Sequence, residues 1–220
     1  KLEDYQALLV NYAAIQSSML NLPHLLPEFP RFSPNSIFKK ADQFFISLKD
    51  SCAIPGFLSI GEATMFYEWY FSVRHKIVNF SLPASTLPFV LEHGDLHIGN
   101  VAFKNKNPVF CDWGDSCIAP LGLSLCALFG GCENFMSMFH KQRNKSIYKY
   151  LTACKSLDAS TVDNDLIDQI SSSVMLGSLY SLCSFQNYLD QNSPHILLIA
   201  HHIRFGVIDL FRSLKFLGLN

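Results

Sequence analysis

Charge is what this sequence has least of. Only 16% of its 220 residues are charged, where roughly 25% is usual in a soluble domain. The charges nearly cancel, 17 basic against 18 acidic for a formal net charge of −1, which argues against a binder of nucleic acid or another polyanion. Long apolar runs are missing too. No window reaches the roughly 18 uninterrupted apolar residues that a membrane span needs; the nearest, Ile118–Phe129, contains Pro120, Gly122 and Ser124. Lys1, Leu2, Glu3, Asp4 and Tyr5 lack the basic-then-apolar layout of a signal peptide. There is no CxxC pair, no internal repeat and no low-complexity segment. The seven cysteines, Cys52, Cys111, Cys117, Cys126, Cys132, Cys154 and Cys183, are odd in number and scattered through apolar stretches. They form no disulfide framework and match no zinc spacing, and read as buried, reduced thiols of a cytoplasmic protein.

What is there is apolar mass. Hydrophobic residues make up 49% of the chain and its mean hydropathy is +0.18, which excludes intrinsic disorder. The length supports a core without disulfide staples. The apolar excess predicts either a generous core or a face that expects a cover.

Periodicity predicts a helix over 3–20, with Leu8, Leu9, Tyr12, Ile15, Met19 and Leu20 on one side. Pro23, Pro27, Pro30 and Pro34 then mark an irregular connection. Ser36 is a candidate cap for a helix to about Leu48, Pro55-Gly56 a turn, and 60–80 a further helix whose Phe66, Tyr67, Trp69, Tyr70 and Phe71 read as core. The pattern then changes. Phe89–Leu91, Val101–Phe103 and Val109–Cys111 read as short strands around tight loops, with Asn105-Lys106-Asn107 as a hairpin tip. Helices resume at roughly 121–130, 132–155, 162–190 and 195–217, the last with Pro194 in its first turn. The chain therefore reads as one domain over 1–220: leading helices at 1–80, a strand-and-loop insert at 81–117, and a helical subdomain at 118–220.

Polar residues gather in the insert, in His93-Gly94-Asp95-Leu96-His97-Ile98-Gly99-Asn100, and again at Cys111-Asp112-Trp113. Asp112 ends a strand that can return antiparallel to Val101–Phe103, which brings it back beside Asn100. An amide oxygen and a carboxylate then converge as hard ligands suited to Mg²⁺, with Asp95 nearby to serve as a base. That is the arrangement phosphoryl transfer requires. Other readings stand beside it. Asp95 would serve as a turn or cap residue, Asn100 as a left-handed turn residue, and Asp112 as a strand-end cap. Trp113 reads as packing and Asp115 as a solvated turn residue. His195, His201 and His202 do not share a helix face. Asp158, Asp163, Asp165 and Asp168 read as a solvated helix start favoured by the helix dipole.

The segment HGDxHxxN, a short hairpin, then an apolar residue and DW, resembles the catalytic segment of the aminoglycoside phosphotransferase and choline kinase family, which has the protein-kinase-like fold. The match at motif level covers about 20 residues, and the flanking helices agree in order with the family's larger lobe. The resemblance implies an α+β, predominantly helical fold, the C-terminal lobe of a kinase-like protein with a small β-hairpin insert carrying the catalytic loop. It implies ATP and Mg²⁺ as cofactors and a small hydroxyl-bearing molecule as substrate, approaching Asp95 from a pocket built by the helices after Leu121. It gives Asp95 the substrate proton, Asn100 and Asp112 the metal, His93 a bracing role, His97 a place beside Asp95, and Ala102 and Cys111 the lower face of the nucleotide pocket. Ser124 stands where the family more often has an Asp.

The resemblance also implies an N-terminal lobe with a phosphate-covering loop and a strand lysine. Before His93, Gly56 and Gly61 are isolated, and Lys39, Lys40 and Lys49 lie in a helical stretch. The chain thus reads as the larger lobe alone, with the nucleotide lobe as its absent partner, inactive by itself, and its apolar excess as the face that lobe would cover. Two other readings remain at this point. One is a non-catalytic module of the same ancestry. The other is a metallophosphoesterase, whose Gly-Asp-x-His start is matched but whose later histidines are not.

Overall fold

A computed structural model describes residues 2–22, 24, 26–50, 58–105, 107–131, 133–134, 140–154, 163–189 and 196–219. The expectations for Pro23, Cys52, Pro55-Gly56, Lys106, Cys132, Asp158, Pro194 and His195 lie outside the described residues.

Three long helices lead: α1 (Leu2–Leu20), α2 (Pro34–Asp50) and α3 (Ile60–Ser81). The start of α2 differs from expectation. Pro34 opens the helix instead of breaking it, because its fixed φ suits the first turn. The cap is Ser33, whose hydroxyl accepts from the Ser36 amide at 3.2 Å. At α3 a capping box forms: Ser59 and Glu62 each accept from the other's backbone amide. A bidentate ion pair, Arg74 on Asp42 at 2.6 and 2.7 Å, ties α3 to α2. Tyr70, stacked 4.1 Å from Phe45, donates to the same Asp42 at 2.9 Å. Of the aromatic stretch expected as core, Phe66 and Tyr70 are buried, Trp69 and Phe71 pack half-buried against the core, and Tyr67 is half-buried.

Four strands follow: β1 (Phe89–Glu92), β2 (Val101–Lys104), β3 (Asn107–Phe110) and β4 (Cys117–Pro120). β2 and β3 form the expected antiparallel hairpin, Val101 opposite Phe110, with Asn105 left-handed at the tip. β4, in a stretch to which the sequence pattern assigns no strand, pairs antiparallel with β1. All four of its residues are buried, so it lacks the alternation that identifies a one-sided strand. The helix expected at 121–130 shrinks to α4 (Leu125–Leu128), bounded by left-handed glycines at Gly122, Gly130 and Gly131 that no helix accommodates.

Further along, the described residues include α5 (His140–Ala153), α6 (Asn164–Ser184), α7 (Gln186–Leu189) and α8 (Ile196–Phe216). Asp163 caps α6, accepting from the Leu166 amide at 2.9 Å, and Asp165 lies in its first turn; these two are helix-start residues as expected. α6 is the central element, with every residue from Ile170 to Leu179 buried. It packs against α2, α3, α4, α5 and α8, as a helix apolar or small all round must. α1 packs on α5 and β1. Between α1 and the hairpin lies an open apolar hollow of about 500 Å³, lined by Ile15, Met19, Leu91, Val109, Phe110 and Trp113. Among the described residues no helix is long and apolar enough to cross a membrane.

Candidate active site

The His93–Asn100 loop leaves β1 and enters β2 through a single turn of 3₁₀ helix, Ile98–Asn100. His93 is fully buried, and its Nε2 lies 2.9 Å from the Cys111 carbonyl oxygen. A carbonyl only accepts, so Nε2 carries the proton in this bond. The other ring nitrogen is buried with no partner among the described residues. The ring packs 4.5 Å from Trp113, whose indole donates to the Phe110 carbonyl at 3.0 Å; Trp113 is packing, as expected. Gly94 is left-handed at φ +84, and a side chain there would collide with the Asp115 backbone.

Asp95 is about half exposed, at 47% for its side chain. The Asn100 amide nitrogen donates to the Asp95 carbonyl at 2.9 Å and faces its Oδ2 at 3.4 Å. His97 Nδ1 accepts from the Gly99 amide at 3.0 Å, which leaves the proton on Nε2, 3.5 Å from the same Oδ2. Two neighbours therefore orient one oxygen of Asp95. Asp112 follows directly on the hairpin. The Cys111 amide donates to the Asn100 carbonyl at 2.8 Å, which extends the hairpin ladder and sets the next residue beside the loop. The left-handed residue here is Asp112 at φ +60, not Asn100; Asp and Asn tolerate that region better than other side chains. Ala102, paired with Val109, and Cys111 are both exposed on the hairpin.

Asp115 belongs to the same acidic group. Burial first, then the charges of Asp95 and Asp112, push its pKa up. Among the described residues there is no group of three or more His, Cys, Asp or Glu side chains arranged to hold a metal ion. Asn100 and Asp112 are of the residue types that a hard cation takes, an amide oxygen and a carboxylate. Asp95 engages the amide nitrogen of Asn100, so its oxygen is the donor atom, and the surrounding carboxylates carry excess negative charge.

Asp95 also faces a cavity of about 620 Å³. Its walls come from the β4–α4 turn, α6 and α8, including Leu123, Ala127, Leu182, Phe185 and Phe205. His202 lines it too, stacked 5.8 Å from Phe185. No lysine or arginine lines it among the described residues. On the α8 wall is Asp209, 6% exposed, accepting from the Glu133 amide at 2.9 Å. The sequence reading missed Asp209, which lies 114 residues after Asp95 in no motif.

It missed Glu92 as well. This carboxylate is fully buried and accepts four hydrogen bonds from α1 and the β4–α4 turn. A signal was available: strand alternation puts Glu92 on the same face as apolar Val90. Ser124, at the departure from the family pattern, accepts from the Gly94 amide at 3.0 Å and so holds the loop.

Comparison with known proteins finds likenesses in sequence and in fold. A family model described as phosphotransferase enzyme family matches residues 63–129, from α3 through the loop and hairpin to α4. The chain is 32% identical over 108 residues to the RIO-type serine/threonine-protein kinase Rio1 of Methanocaldococcus jannaschii, covering 47% of this chain and 35% of that protein. It thus spans about a third of the curated relative it matches. Among solved structures it superposes on choline kinase from Cryptosporidium parvum with TM-score 0.58 and 14% identity, over 97% of this chain and 67% of that one. Spectinomycin phosphotransferase, solved with ADP and spectinomycin, gives TM-score 0.53 and 16% identity, over 94% and 64%. At such identities these likenesses speak to fold, and the fold is a kinase-like, predominantly helical α+β. The chain resembles kinase-like phosphotransferases in both sequence and fold.

Proposed function

We propose that this chain is the larger lobe of an ATP-dependent phosphotransferase that moves the γ-phosphate to a hydroxyl of a small molecule. The observation that carries the reading is Asp95 at the mouth of the 620 Å³ cavity, with Asn100 and the Asp112 strand end laced together by the Cys111–Asn100 backbone bond. The acceptor enters the cavity and presents its hydroxyl to Asp95, which takes or orients the proton. His97 and Asn100 fix one carboxylate oxygen and leave the other for the acceptor. His93 braces the loop against Cys111. Asn100 and Asp112 hold Mg²⁺, which when bound neutralises phosphate charge. Ala102 and Cys111 form the lower face of the nucleotide site. A lining without lysine or arginine among the described residues suits a neutral or cationic acceptor better than an anionic one.

The upper lobe is the further partner in this reading. The partial coverage of the structural neighbours and the apolar hollow beside Trp113 support a larger parent. The test is an ATP-consumption screen of the full-length protein against alcohols and aminoglycosides, beside Asp95→Ala and Asp112→Asn. Asp95→Ala is expected to lower transfer by about 10²–10⁴-fold with the melting temperature unchanged. Asp112→Asn, which keeps the left-handed backbone, is expected to lose the magnesium dependence of nucleotide binding. Transfer at the wild-type rate by Asp95→Ala refutes the assignment.

A further inference from the structure

The carboxylate of Glu92 lies beneath the loop, fully buried. Its Oε1 accepts from the Gln16 side-chain amide at 3.0 Å and the Gly122 amide at 2.7 Å. Its Oε2 accepts from the Tyr12 hydroxyl at 3.0 Å and the Ser124 amide at 3.0 Å. A carboxylate has about four acceptor sites, and all are used. Every neighbour in this set is a donor, so a proton added to Glu92 would displace one of them. Burial pushes the Glu92 pKa up, an effect that the bonds from Ser124, Gly122 and Tyr12 offset only in part.

Two of these neighbours reach onward to the loop. The Tyr12 hydroxyl accepts from the His93 amide at 2.9 Å. The Ser124 hydroxyl accepts from the Gly94 amide at 3.0 Å. Consecutive amides immediately before Asp95 thus hang from the hydroxyls of two residues that donate to one carboxylate, Tyr12 through its hydroxyl and Ser124 through its main-chain amide. The assembly is anchored from a third side, because Gln16 also donates to the Leu91 carbonyl at 3.0 Å and accepts from Tyr150 of α5 at 2.6 Å.

We propose that Glu92 is a positioning residue: through Tyr12 and Ser124 it fixes the His93 and Gly94 amides, and with them the direction in which Asp95 faces the cavity. The catalytic consequence rests on the phosphotransferase reading; the positioning itself does not. The charge matters as well as the shape. In Glu92→Gln one of the two oxygens becomes an NH₂ group, which faces two donors and can accept from neither. With the NH₂ at the Oε2 position both relays are lost; at the Oε1 position the Gln16 and Gly122 bonds that hold the carboxylate in place are lost instead, although the side-chain volume is kept.

The test is amide hydrogen exchange at His93 and Gly94, followed by NMR in the chain as it stands. Ile37→Val, in the α2 core, serves as a control for lost global stability. Tyr12→Phe is expected to speed exchange at His93 by at least tenfold, and Ser124→Ala to do so at Gly94. Glu92→Gln should raise both. Ser124→Thr, which keeps the hydroxyl, should restore protection at Gly94. Ile37→Val should raise the two amides no more than the rest of the core. If the Tyr12 and Ser124 variants speed all core amides alike, or leave His93 and Gly94 protected, the proposal is overturned; these milder variants decide the matter even if Glu92→Gln fails to fold. In the full-length enzyme, Glu92→Gln is expected to lower kcat at least tenfold with the KM for ATP unchanged, and an unchanged kcat overturns the proposal. A wild-type protein that transfers no phosphate would defeat the function reading, while the exchange pattern still decides the positioning.

Discussion

Gly177 sits in the middle of α6, where helix propensity and packing give opposite predictions for alanine. Propensity alone favours Gly177→Ala by about 1 kcal/mol. Packing opposes it. A Cβ at this position would run into the Leu123 carbonyl oxygen, and would also meet Cys126 Cβ at 3.1 Å. The first of these is main chain, so no rotamer change relieves the overlap; α6 or the β4–α4 turn has to shift. Over-packing of a core costs about 1–3 kcal/mol, and a backbone clash belongs at the upper end. The net expectation is a loss of about 2 kcal/mol, or a melting temperature lower by about 4–8 °C for a chain of this size. Two other glycines calibrate the reasoning. A Cβ at Gly206 meets Leu182 Cδ2 at 2.7 Å, a side-chain tip that can move, so Gly206→Ala should cost less. At Gly61 nothing lies within 4 Å, and Gly61→Ala should gain a few tenths to about 1 kcal/mol. Thermal melts by circular dichroism rank the three. A Gly177→Ala protein as stable as wild type would refute the packing argument and with it the close approach of α6 to the turn that carries Ser124.

Cysteine chemistry gives a second check. Cys111 is exposed, whereas burial pushes the Cys117, Cys154 and Cys183 thiols up to about 12. Among the five described cysteines, iodoacetamide at neutral pH should therefore label Cys111 first, by peptide mass mapping; early labelling of Cys154 would contradict the packing of α1 on α5. A third concerns acid. Hydrogen bonds from Arg204, then from Ser59, hold the Glu62 pKa down at about 2. A depressed carboxylate stabilises the fold above its unfolded value near 4.3, and that contribution is lost as pH falls through the folded value. Both side chains are about a third exposed, so the contribution is about 1 kcal/mol after screening. Urea unfolding between pH 5 and 2 should show this acid loss in wild type and a flatter limb in Arg204→Gln; parallel curves would refute it.

The helices were legible because their apolar spacing is regular: α1, α2, α3 and α8 fall within a few residues of the expected bounds. The loop and hairpin were legible because polar residues are scarce enough in this chain for a cluster to stand out. β4 was not, since a strand buried on both faces loses its alternation. Glu92 was passed over although its strand position marks it as inward-facing. Asp209, Leu182 and Phe205 carry no local signal, because the cavity wall they help to form exists only once α6 and α8 pack together. Ser124 stands out in the sequence only as a departure from the family pattern; its bond to Gly94 shows what it holds.

The tie between Tyr12 and His93 spans 81 residues of sequence. Closing so long a loop is entropically costly and comes late relative to local helix formation. The site is therefore completed only after its local elements have formed. Refolding chains will regain helical signal before the His93 and Gly94 amides find their partners, and any opening that lifts α1 from β1 will slacken the loop while most of the core stays shut. In this fold, competence at Asp95 reports on whether the first helix has come home.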